Sequence, residues 1–477
     1  MIRVNSLNVT DQMSPAFGEP AWATPRATGR SKHALMRIAV LASALGLVAC
    51  TASSEDVRPP EDTLFFPTGA GISPDQSVLF IANANSELRY DSGSISVMDL
   101  ATVDQIANAW TTNRTAPDGC SQDPNHLETL DCADETAFMR PQAGARVGNF
   151  ATDIAVQDMG GGNLRLIVPT RGDPSIAWVE WNGSNLTCAP NAEGFALCDD
   201  AHRLTYVQNN ADLAPLPDEP FSAFADSTGQ FAVITHLTTG DITLVDSEPG
   251  RDAIISDVAL GLFNADPFTG LRGSTGVAGR TPGSLGDIVY VGSRSEDRIQ
   301  TMTVGRPANG ALPFFILGNW FFLDALGTYG GGSTDTRGMA FSSTGDRLYL
   351  LNREPPTLQI VDTSVTATGF PANKEVGGSP VCRQASTLTS LDPGDGERVY
   401  LTCFQDGAVY VVNPEGRSEV EDIIEVGRGP YAVVGSVMHD KLYVTNFLED
   451  TIAVIDISPT STLRDRVVLR IGEVRAP

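Results

Sequence analysis

Leu442–Asp456, LYVTNFLEDTIAVID, reads as two short strands joined by a tight polar turn at Phe447 to Asp450. Leu442 and Val444, then Ile452 and Val454, alternate with less apolar neighbours, the period-2 pattern of a half-buried strand. A lone hairpin cannot bury its own apolar face, so such a unit is stable only beside others like it.

Six more copies stand upstream. Measured back from the acidic or polar residue that closes the second strand, they begin at Leu79, Leu166, Ala232, Val289, Leu348 and Val399. Pro67, Pro220 and Pro430 stand twelve residues ahead of the first strand in their copies, with Thr336 in that place in the fifth. A further strand follows the hairpin, as at Asp422–Val426 and Lys374–Val376. Four antiparallel strands repeated every ~45 to 60 residues predict an all-β, seven-bladed β-propeller, here over residues 63–477. Spacing between copies falls from 87 residues to 43 along the chain, so the early blades must shed extra length as loops. No long stretch shows a 3.6-residue apolar period, so no helix is expected.

LYVTN at Leu442–Asn446, with IAVIDI behind it, resembles the repeat of the YVTN family of bacterial β-propellers. The likeness spans Phe65 to Gly472, and the other copies carry degenerate forms such as FIANA, VYVGS, LYLLN and VYLTC. The resemblance implies seven blades and placement outside the cytoplasm. It says little about a ligand, because one fold hosts many functions. Lactonase-like and quinoprotein-like propellers are similar in repeat length and hairpin pattern, and the YVTN likeness also permits a surface-layer or adhesion component.

Met36-Arg37 precedes twelve largely apolar residues and Cys50, a secretion-signal pattern too short to span a bilayer as a mature helix. Leu47-Val48-Ala49-Cys50 resembles the lipobox of bacterial lipoproteins, which implies a fatty-acylated Cys50 as the first mature residue. Residues 1–49 are then an N-terminal extension and signal peptide, and residues 50–62 a polar tether. Thr51 after the Cys favours the outer membrane under the enteric sorting pattern, with the protein periplasmic or surface-exposed.

Six cysteines remain, an even number in an oxidising compartment. They pair by proximity as Cys120 with Cys132, Cys188 with Cys198, and Cys382 with Cys403. The first two pairs sit in acidic insertions after blades one and two, too poor in apolar residues to order themselves. The third is expected to link the first two strands of blade six across the turn Asp392–Glu397. No CxxC, CxxCH or CxxH spacing points to a metal.

The chain carries 58 acidic and 32 basic residues, a formal net charge of −26. Five basic and two acidic residues precede Cys50, so the remainder is more acidic still. Such a field repels phosphate backbones, which excludes nucleic acid as the expected partner. The acidic insertions (Asp118, Asp123, Glu128, Asp131, Asp134, Glu135; Asp199, Asp200) lack DxDxDG spacing. A solvated acidic face is therefore expected, with calcium as the alternative and no other cofactor or metal.

No G-x-S-x-G, Walker or HExxH pattern occurs, and no catalytic residue is assigned. The residues that end the equivalent strands, Asn83, Thr170, His236, Ser293, Asn352, Cys403 and Asn446, form a ring near one face. They suit a polar ligand or the capping of strand ends. Arg171, Arg294 and Arg353 stand one residue beyond the ring in three blades. Convergence of these arginines with acids would favour an enzyme, and splaying into solvent would oppose it. The apolar run Phe314–Leu323 is expected to pack blade on blade, with an exposed aromatic patch as the alternative. The overall expectation is a monomeric, lipid-anchored, non-enzymatic binding module for a protein or envelope polymer.

Overall fold

The protein is described from a computed structural model, which covers residues 57–475 except 190–193, 208–213, 268, 281–287, 309, 324–333 and 416–417. The signal segment and Cys50 lie outside the described residues. Seven antiparallel sheets begin at Pro67–Ile72, Ala155–Gly160, Pro220–Ala225, Ser274–Gly279, Thr336–Phe341, Ala385–Leu391 and Pro430–Ser436. These first strands meet one another around the centre, and the chain of each sheet then runs outward. This is the expected seven-bladed β-propeller.

Each interface between neighbouring blades holds its own apolar cluster, including the one that joins blade seven to blade one. The second strands are therefore sandwiched on both faces. Val78–Asn83, Phe231–His236 and Lys441–Asn446 are buried at every position. The alternation in LYVTN predicts a half-buried strand, but stacked blades leave neither face to solvent. Its tyrosine position recurs as Tyr290, Tyr349, Tyr400 and Tyr443, all fully buried.

Around the channel a hydrogen bond crosses every blade interface. Threonine hydroxyls donate to the next blade's innermost strand: Thr445 to Thr68 O, Thr68 to Ala151 O, Thr152 to Phe221 O, Thr235 to Thr275 O, Thr275 to Thr336 O and Thr402 to Tyr431 O. Between blades five and six Arg353 Nε donates to Ala385 O at 2.7 Å.

The first insertion departs from expectation. It is not an unordered loop after blade one but lies between that blade's third and fourth strands, and it opens with a helix, Leu100–Asn113. Asp99 caps the helix by accepting from Thr102 N, and Leu100, Val103, Ala107 and Trp110 bury one face at helical spacing. The hairpin Cys120–Gln122/Leu130–Cys132 then adds in parallel to the outer strand of blade seven, Arg466–Ile471. Thr129 Oγ1 donates to Val467 O at 2.7 Å, and Arg470 pairs with Asp123 and Asp131 at 3.2 and 2.9 Å. Those two carboxylates thus serve ring closure.

All three disulfides form as paired above, with Cα separations of 4.1, 4.7 and 5.8 Å. Cys382 precedes the first strand of blade six instead of lying within it, and reaches Cys403 because Ala385 is the residue opposite. Phe314–Phe322 is the outer strand of blade four, yet only Phe315 and Phe321 pack inward among its apolar residues. Phe314, Ile316, Leu317, Trp320 and Phe322 are 43–59% exposed, so the run is mainly a surface patch and not a packing strand. An outer strand has no further blade to cover it.

Phe321 packs edge-on against the buried Tyr290. Phe321→Ser should cost about 2 kcal/mol and Trp320→Ser under about 1 kcal/mol by denaturant titration. Removing the disulfide of the added hairpin with Cys120→Ser/Cys132→Ser should cost about 3 kcal/mol on the chain-entropy account, read as a drop in Tm under non-reducing conditions that leave the other two disulfides intact.

Candidate functional site

After its first ladder pair, the innermost strand breaks register with its neighbour in six blades, as between Pro67 and Ala70 in blade one, Pro220 and Ala223 in blade three, and Pro430 and Val433 in blade seven; in blade two the break falls between the isolated Ala151–Thr170 bridge and the Ala155–Ile167 pair. A bulge frees residues from the ladder and re-aims them. Those freed residues line the centre. Gly69, Asp153, Ser222, Arg337, Ser386, Thr387 and Tyr431 surround a cavity of about 40 Å³, which Arg353 also lines. A Cβ on Gly69 would stand 2.5 Å from Asp153 Cα, so only glycine lets blade one approach that closely.

The ring residues do other work. All seven are fully buried and bonded locally. Asn83 donates to Ser94 and Ser96, Thr170 to Asp173 O, Asn352 to Gln359 and Thr357, and Asn446 to Val426 O and Thr451. Ser293 Oγ accepts from Ser295 N and Glu296 N, while Cys403 is in its disulfide. His236 bonds Asp218 O through Nδ1 at 3.0 Å and Thr243 Oγ1 through Nε2 at 2.8 Å. Burial pushes its imidazole down to about 4, so it is neutral at pH 7. These side chains close hairpins, and none of them lines the central cavity.

The three arginines behave differently. Arg171 pairs with Glu219 at 2.6 Å across the interface of blades two and three. Arg294 donates to Leu237 O and lies within electrostatic reach of Glu219, Asp335, Arg171 and Arg337. Arg353 faces Arg337, Asp335 and Arg294, and burial with like charge lowers its guanidinium to about 10. Arg337, which the repeat pattern did not single out, pairs with Asp335 at 2.7 Å and lies over the Phe221 ring. Its place next to Thr336, the residue matching the repeat prolines, was the available signal. Four guanidinium groups therefore gather at one mouth with two paired acids.

Asp153 completes the site. It is hemmed in by protein yet keeps surface on the cavity, and its oxygens accept from Ile154 N at 2.9 Å and Ala223 N at 3.0 Å. Desolvation raises its carboxyl to about 6. Burial also raises Tyr431, which stays a protonated donor near Asp153, Arg171, Arg337 and Arg353. Among the described residues the closest metal-like grouping is Cys382, Cys403 and Asp406, whose sulfurs are already bonded to each other.

No family model and no curated protein sequence matches this chain. Among solved structures, a putative 6-phosphogluconolactonase from Bacteroides fragilis is similar at 14% identity and TM-score 0.54, over 84% of this chain and 99% of that one. The periplasmic gluconolactonase of Pseudomonas aeruginosa is similar at 16% identity and TM-score 0.39, over 66% and 70%. The β-propeller domain of Cps50 from Myceliophteria thermophila is similar at 9% identity and TM-score 0.48, over 84% and 97%. The first of these likenesses supports the propeller fold and nothing beyond it.

Because His236 is depressed in the fold, its stabilising share is full above about pH 6.5 and is lost as pH falls toward 4. Asp153, raised in the fold, acts in the opposite sense between about 6 and 3.8. His236→Gln should therefore shrink the stability lost between pH 7 and 4.5 by about 2–3 kcal/mol, measured by denaturant midpoints at both pH values.

Proposed function

We propose that this protein is an envelope-anchored lipoprotein whose propeller is a non-enzymatic module that binds an acidic group at the channel mouth. The observation that carries the reading is the gathering of four guanidinium groups, Arg171, Arg294, Arg337 and Arg353, against three carboxyl groups, Glu219, Asp335 and Asp153. In a chain of formal charge −26, a cluster of four guanidinium groups stands against the overall charge. Arginine forks match carboxylates in geometry and stay charged. The partner is an envelope polymer bearing acidic groups, or a protein presenting a carboxylate. Residence outside the cytoplasm rests on the three disulfides, the likeness to YVTN repeats and the signal pattern ending at Cys50. Attachment is through an acylated Cys50, which the lipobox likeness of Leu47-Val48-Ala49-Cys50 supports.

Asp153 supports a second reading, lactonase-like hydrolysis. A carboxyl near pH 6 beside guanidinium groups could take a proton from water while the arginines stabilise the developing oxyanion. Turnover of a lactone that Asp153→Asn abolishes would favour this reading over simple binding.

Calorimetric titration of the detergent-solubilised protein with polygalacturonate and with gluconate tests the binding reading. Arg337→Ala and Arg294→Ala should each weaken binding at least tenfold, Arg337→Ala also lowering Tm because it leaves Asp335 without its ion pair, and added salt should weaken binding in the wild type. Equal affinity in both variants would overturn it.

A further inference from the structure

The central cavity offers more than positive charge. Of the groups lining it, Asp153 is the one carboxylate, and no guanidinium bonds to it among the described residues. Ser386 is 7% exposed, lines the same cavity and has an Oγ with no partner among the described residues. An unpartnered buried hydroxyl costs free energy unless something else bonds to it. Arg337, whose side chain is 9% exposed, and Arg353 bring guanidinium groups to the same wall. About 40 Å³ holds two or three waters, or one small planar group.

Resting on the anion-binding reading, we propose that the cavity takes the carboxylate of a small organic acid together with one proton, shared between that carboxylate and Asp153. The guanidinium groups of Arg337 and Arg353 draw the ligand's charge inward, and Ser386 Oγ and the Tyr431 hydroxyl are placed to donate to its oxygens. The incoming carboxylate then lies beside a second carboxylate in a site that excludes water. Two such groups cannot both remain ionised at contact, so the pair retains a proton taken from solvent. No bond in the ligand breaks; one proton moves from buffer to an O···H···O bridge.

The charged groups around the cavity come from several blades. Tyr431, of blade seven, lies near Asp153 and near Arg337 and Arg353 of blade five and Arg171 of blade two. Arg294, Glu219 and Asp335 form the outer part of the cluster. Arginine as a residue type stays cationic near neutral pH, and Asp153 is the carboxyl on the cavity wall whose charge changes there. Its carboxyl is already raised by burial before any ligand arrives, which eases proton uptake.

Titration calorimetry of the full-length, detergent-solubilised protein with gluconate, in buffers of unlike ionisation enthalpy, measures the protons taken up per ligand. At pH 7 the expected value approaches one, and affinity should rise on the order of tenfold per unit as pH falls from 8 to 6. Asp153→Asn should bind gluconate with no proton uptake and a flat pH dependence. Gluconate binding by the wild type without proton uptake, or uptake persisting in Asp153→Asn, would overturn the proposal while leaving the anion-binding reading intact. Inorganic phosphate bound more tightly than gluconate would overturn the carboxylate assignment. Failure of the wild type to bind gluconate, polygalacturonate or phosphate at pH 6 would overturn both readings. Should Asp153→Asn fail to fold, the wild-type proton count decides alone.

Discussion

A belt of hydrogen bonds around the channel fixes the relation of each blade to the next, and the remainder of the molecule depends on it. Apolar clusters between blades supply most of the cohesion, but hydrophobic contact is non-directional and would tolerate sliding. A threonine hydroxyl aimed at a particular carbonyl of the neighbouring blade sets a register. Thr235, Thr402 and Thr445 stand one residue before the end of their strands, Thr68 and Thr275 stand one residue into the innermost strand, and Thr152 follows the isolated Ala151–Thr170 bridge ahead of its strand. These positions bring the hydroxyls to the interfaces at equal depth, so the belt closes.

The same register breaks that make room for the belt create the binding surface. Freed from the ladder, Asp153, Ser222, Ser386 and Tyr431 turn to the channel. Where blades five and six meet, the belt link is Arg353 in place of a threonine. The arginine that holds that interface is thus also part of the charged mouth, and structure and site share one residue. Gathering four guanidinium groups costs repulsion, which Glu219 and Asp335 offset by pairing with Arg171 and Arg337. What remains is a local positive excess inside an acidic protein.

Closing a ring of stacked sheets requires the last blade to hold the first. Here the fourth strand of blade seven is supplied by the C-terminal chain itself, and closure comes from further out. A disulfide-linked hairpin from the first insertion pairs with that strand's edge, while the helix before it buries its apolar face in the cluster joining blades one and seven. His439 of blade seven adds bonds to Asp104 on the helix and to Gln76 O. Covering the edge also removes a row of unpaired backbone groups. The outer edge of blade four, with its exposed phenylalanines and tryptophan, lacks such cover among the described residues.

Local chemistry made the repeat legible. Strand hairpins with polar turns recur at regular spacing, and a sheet that cannot bury its own faces must stack, so seven units of LYVTN type specify a seven-bladed ring without further information. Cysteine pairing was legible too, because short spacings leave few alternatives. The helix at Leu100–Asn113 was missed although Leu100, Val103, Ala107 and Trp110 carry its period, since the ruler that measured strands ended at its capping residue, Asp99. The site was half legible. Position after the repeat motif marked Arg171, Arg294 and Arg353, but Arg337, Asp153, Ser386 and Tyr431 come from different blades and share no local pattern. Which groups are brought together across the channel, and which carboxyl loses water in doing so, depends on ring closure. Only the tertiary structure sets those distances, because desolvation and charge act through space and not along the chain.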